Sequence, residues 1–66
     1  MELKEFIAAI GDDQAAQLFG VSIRTTQSWR LGDRLPRPTQ ANTIVTKTAT
    51  HPKGPVTFAG IYGRVA

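Results

Sequence analysis

The side chains best equipped for chemistry in this 66-residue chain are four arginines between positions 24 and 37. Arg24, Arg30, Arg34 and Arg37 are interleaved there with Thr25, Gln27 and Ser28. A guanidinium offers a planar fork of donors that fits a phosphate or the major-groove edge of guanine, and a carboxamide fits adenine in the same two-bond manner. Hydroxyls serve either base or phosphate. A polyanion such as DNA would feel these arginines as a local positive field, although an ordinary solvated basic face would carry the same residues.

Other chemistries find less support. The chain has no cysteine and a single histidine, His51, which sits beside Pro52 with no carboxylate at ligand spacing. It reads as a solvated loop residue, so no metal and no cofactor is expected. Asp12 and Asp13 are adjacent, so on a helix they point apart and cannot share a substrate; a helix cap explains them better. No nucleophile has a base partner and no glycine motif cradles phosphate, so an enzyme is not expected.

The charge is segregated along the chain. Up to Val21, Glu2, Glu5, Asp12 and Asp13 stand against Lys4, a net of −3. Beyond it, Arg24, Arg30, Arg34, Arg37, Lys47, Lys53 and Arg64 stand against Asp33, a net of +6. No apolar run approaches the roughly 18 residues that span a bilayer, and the first residues lack the layout of a signal peptide. A soluble, cytoplasmic protein of one domain, residues 1–66, is the expectation.

The elements that must position the basic cluster are short helices. Leu3, Phe6, Ile7 and Ile10 follow i, i+3, i+4, i+7 and predict a helix over about 2–10, stopped by Gly11. Asp12 or Asp13 then caps a second helix over about 13–19, with Ala15, Ala16, Leu18 and Phe19 apolar and Gly20 as its end. Ser22 caps a third over about 23–31, stopped by Gly32 with Pro36 and Pro38 close behind. Beyond Pro38, β-branched residues favour strand on propensity, but Ala41, Ile44, Val45 and Thr48 again keep helical spacing. Pro38 suits a first turn, so a fourth helix over about 38–49 is predicted. The closing segment 56–62 holds Val56, Phe58, Ile61 and Tyr62 and folds back on the helices, as a short turn capped by Thr57 or as an edge strand.

Two short helices joined through Gly20-Val21-Ser22 make a helix-turn-helix pattern. The stretch from Gln14 to Ser22, followed by Trp29, Gly32, Arg34 and Pro36, resembles the Cro and repressor superfamily, and within it the Cro-like and YdaS-like phage regulators and antitoxins. Ala16 and Gly20 match that group's small residue and turn glycine, and Val21 its apolar plug. Ser22 matches the polar start of the recognition helix, and Trp29 a buried late position. The likeness extends more loosely from Leu3 to Gly63. Thr26 departs from it, standing where the group usually has valine or isoleucine.

The resemblance implies an all-α fold, a small helix-turn-helix domain of four to five short helices. An α+β version with a C-terminal hairpin is the alternative. It implies a sequence-specific double-stranded DNA-binding transcriptional regulator, a Cro-type repressor that binds its operator as a homodimer. In this register Ile23, Thr26 and Trp29 point mostly inward. Arg24, Thr25, Gln27 and Ser28 are then the candidate base contacts, and Gln14, Ser22, Arg30, Arg34 and Arg37 the candidate backbone contacts. Two rival readings stand beside it. The run from Val21 to Trp29 with Leu35-Pro36-Arg37-Pro38 also looks like excisionase and MerR-type winged helices, which would make residues 39–50 strands. The apolar tail (Phe58, Ile61, Tyr62) could instead belong to an antitoxin or anti-repressor module that docks on a protein partner.

Overall fold

The computed structural model describes residues 1–62, and over them the chain is all helical. Five helices follow one another: α1 Leu3–Ile10, α2 Asp12–Phe19, α3 Ile23–Leu31, α4 Pro38–Thr48 and α5 Phe58–Tyr62. No strand occurs among the described residues, so the hairpin and the winged-helix version of residues 39–50 are overturned. Periodicity prevails over β-propensity in α4 because its apolar side faces a core that rewards helical spacing. Among the described residues no helix is long and apolar enough to cross a membrane. Gly63, the last residue of the resemblance, and Arg64 lie outside the described residues.

The core is assembled from one face of each helix. Leu3, Phe6 and Ile7 of α1 meet Ala15 and Phe19 of α2, Trp29 of α3, Ala41 and Ile44 of α4, and Val56 and Ile61 of the closing segment. Ile10, Leu18, Val21 and Val45 pack around it, half-buried. Phe6 is central, with its ring centroid 5.9 Å from that of Phe19 and 4.9 Å from the edge-on ring of His51. His51 is therefore half-buried, with one side of its ring packed on the core. Its Nδ1 also accepts the Lys53 amide at 3.0 Å, which rounds off the loop after α4.

Helix boundaries differ from expectation by single residues, with one chemical consequence. Gly11, at φ 93°, both ends α1 and precedes α2, so neither Asp12 nor Asp13 is the cap. Both are in the first turn of α2, where their charge suits the helix dipole and leaves Asp12 free for a longer-range task. Helix α4 begins at Pro38 as predicted and ends at Thr48, one residue early. The closing segment takes the helical option: the Thr57 hydroxyl accepts the Gly60 amide at 3.1 Å. Val56 and Ile61 are buried, whereas Phe58 and Tyr62 remain largely exposed.

Thr48 holds that segment in place. Its hydroxyl donates to the Ile44 carbonyl at 2.8 Å and accepts the Val56 amide at 3.0 Å, and both Thr48 and Val56 are fully buried. Thr48→Val keeps the shape but strands the Val56 amide. It is expected to lower stability by about 1–3 kcal/mol, measured by denaturant unfolding, because a buried donor without an acceptor incurs its whole desolvation cost.

Candidate functional site

Helices α2 and α3 meet through the tight turn that the sequence predicts. Gly20 takes the left-handed conformation at φ 70°, which a side chain would strain, and the Val21 amide donates back to the Ala16 carbonyl at 3.0 Å. Ala16 is buried, so the two helices can approach there. Ser22 caps α3, its Oγ accepting the Thr25 amide at 3.2 Å. The far end closes on Gly32, at φ 84°, whose amide reaches the Ser28 and Trp29 carbonyls. The Lys4 side chain lies against Gly32, placing a cation at the negative end of α3.

A polar clasp sets the disposition of α3 on α2. The Thr26 hydroxyl is fully buried and donates to two carbonyls, Ile23 within its own helix and Asp12 at the start of α2, each at 2.9 Å. The Asp12 carboxylate in turn receives Arg30 through two parallel bonds, Nε to Oδ1 at 2.8 Å and Nη2 to Oδ2 at 3.1 Å. Thr26 thus does more than imitate a valine, since it ties α3 to the first residue of α2. The clasp also explains why Asp12 does not cap: it is the counter-charge of Arg30. The bond to Asp12, and then its charge, hold the Arg30 guanidinium further above its ordinary range, so it stays a cation at any pH the protein meets.

The residues singled out from sequence differ in their surroundings. Arg24 and Gln27 are exposed on the outward side of α3. Thr25 and Ser28 are half-buried on its flank, with the Thr25 hydroxyl 2.9 Å from that of Ser22. Arg30 is half-buried and gives its Nε and Nη2 to Asp12, so part of its fork is engaged within the chain. Ile23 is a correction: it is 51% exposed and not part of the core. Trp29, by contrast, is 4% exposed, with its ring 6.3 Å from that of Phe19.

Arg34 and Arg37, both exposed, are brought to α3 by the loop that follows it. That loop is fixed at three points. The Asp33 amide bonds the Ser28 carbonyl at 3.0 Å, and the buried Pro36 offers its carbonyl to the Tyr62 hydroxyl at 2.8 Å. The Gln40 side chain accepts the Arg37 amide at 2.9 Å, at the start of α4. The result is a cleft of about 510 Å³ between α3 and the first turn of α4. Arg24, Arg34 and Arg37 line it with Thr25, Ser28, Thr39 and Gln40, and among the described residues no carboxylate does. Trp29 and Leu35 supply its apolar part.

Thr39 and Gln40 were not anticipated as part of the site. The signal was present in Arg37-Pro38-Thr39-Gln40, where a proline in the first turn is followed by a side chain able to reach back to the residue before it. Gln14 and Ser22 are exposed but do not line the cleft. Among the described residues no group of histidine, cysteine and carboxylate side chains is placed to hold a metal. A helix presenting arginine and glutamine, flanked by a cleft lined by three arginines, can bind an extended anion and read hydrogen-bonding edges beside it. Comparison with family models, with curated proteins and with solved structures gives no match for this chain.

Proposed function

We propose that the chain is a sequence-specific, double-stranded DNA-binding transcriptional regulator of the Cro repressor type, with α3 as its major-groove helix. The observation that carries this reading is the convergence of Arg24, Arg34 and Arg37 on one cleft beside a helix whose outward face offers Gln27. Arg24 and Gln27 contact bases, with Thr25 and Ser28 on the flank serving bases or the sugar-phosphate edge. Arg34 and Arg37, beside the start of α4, take phosphates; Gln14 and Ser22 approach the backbone from the α2 side. One module of this size makes few base contacts. A homodimer on a near-palindromic operator doubles them and represses by occluding polymerase.

Binding to random-sequence duplex DNA as salt is raised tests the reading. Two phosphate-neutralising arginines, Arg34 and Arg37, in each copy of a dimer predict a slope of log affinity against log salt of about −3.5. Sedimentation of the complex should give two chains per duplex. Absence of binding at low salt would sink the proposal and favour a protein-docking module, the reading that exposed Leu31 and Leu35 support.

A further inference from the structure

The outward face of α3 contains an apolar residue that the hydrogen-bonding account leaves unused. Ile23 is the first residue of the helix and 51% exposed, immediately after the Ser22 cap and immediately before Arg24. At about 100° per residue it lies about 120° around the helix from Trp29 but only about 40° from Gln27. It stands between the buried Thr26, about 60° to one side, and Gln27 on the other, so its exposed half adjoins a base-reading side chain. Its backbone carbonyl is already held by the buried Thr26 hydroxyl, so the side chain is presented from a fixed point.

We infer that Ile23 is a specificity-determining residue that reads the 5-methyl group of a thymine in the major groove. The inference rests on the DNA-binding reading above. A major groove offers hydrogen-bond donors and acceptors at every base pair, but its one apolar group is the thymine methyl. An isoleucine cannot hydrogen-bond. Opposite a G·C pair it would desolvate the cytosine amino group or the guanine acceptors and return nothing. Against thymine it buries its own methyl groups and the base's together. Gln27, one turn along the same face, suits adenine, so the two side chains together favour A·T-rich steps. Arg24, on the neighbouring line, selects guanine.

Removing the methyl group from the DNA separates this role from any other. A preferred duplex is first selected from a random pool with the unaltered protein. Each thymine is then replaced singly by deoxyuridine, and affinities are measured by fluorescence anisotropy at constant salt for the unaltered protein and for Ile23→Ala. At one thymine per half-site the unaltered protein should lose about three- to fivefold, the value of burying one methyl group. Ile23→Ala should bind the thymine and uracil forms of that site within 1.5-fold of each other, roughly the resolution of such affinities. Its salt slope should be unchanged, since no phosphate contact is touched. Equal affinity of the unaltered protein for all uracil duplexes, or an unchanged thymine preference in Ile23→Ala, overturns the assignment. Ile23 and Leu31, two turns apart, would then form a stripe suited to a protein partner. Failure to select any duplex overturns the DNA-binding reading itself, and so is distinguishable from failure of the inference.

Discussion

Trp29→Ala is expected to leave most of the chain unfolded at room temperature. The indole is 4% exposed and sits where α3 meets the aromatic centre of the core, beside Phe19. Truncating a buried tryptophan costs about 3–5 kcal/mol through lost burial and the cavity left behind. A single core in a chain of 66 residues rarely supplies more than about 3–5 kcal/mol, so one such substitution removes most or all of it. Far-ultraviolet circular dichroism should show the helical signal collapsing, and denaturant unfolding should lose its cooperative transition. Trp29→Phe, which keeps a ring in the same place, should retain the fold with a smaller loss. A folded Trp29→Ala protein that loses only DNA affinity would instead make the indole a stacking platform and refute its role as the anchor of α3.

The outcome of that experiment bears on what the sequence made legible. Ser22, Gly32, Gly20 and Trp29 were read correctly because their signals are local: a cap, two stops that require positive φ, and an apolar position at helical spacing. The fourth helix was legible for the same reason, although threonine content argued the other way. Asp12 was misread because two local roles compete at a helix start. The deciding partner, Arg30, is eighteen residues away and not visible to periodicity. The pairing of Arg30 was invisible for the same reason, since a guanidinium counted as free for phosphate gives two of its bonds to a carboxylate. Ile23 failed differently. Its apolar character suggested burial, but a first helical residue about 120° from the buried tryptophan has little neighbouring chain to cover it.

The cleft, too, depended on a relation that no local pattern contains. Arg34 and Arg37 were recognised as candidates from their place just after the third helix, but their convergence with Arg24 requires the loop to turn back toward α3. Tyr62 contributes to that turn by donating to the Pro36 carbonyl, a bond between residues 26 apart in sequence. The closing segment thus has a role in the site without touching the proposed ligand. Its apolar side chains divide accordingly, with Ile61 in the core and Tyr62 bonded to the arginine-bearing loop.

The second large effect is expected when Arg24 and Arg37 are compared. Both are exposed, both line the same cleft, and both carry the same charge, so a purely electrostatic surface would make them interchangeable. The proposed geometry does not. Arg24 is on the outward side of α3, one residue past the first, where a fork can lie in the plane of a guanine edge. Arg24→Ala should cost about 1–3 kcal/mol on the preferred duplex and flatten the preference at one position, with little change on random DNA. Arg37 precedes α4 and faces the cleft from the loop side, where only a phosphate is within reach. Arg37→Ala should weaken preferred and random duplexes by the same factor and make the salt slope shallower by about one unit per copy. Anisotropy titrations of both variants on both duplexes at several salt concentrations separate the two patterns. Neither substitution removes buried area, so the unfolding midpoints should stay close to that of the unaltered protein. Parallel losses for the two variants on both duplexes would mean that α3 supplies charge without reading sequence, and would refute its role as a recognition helix.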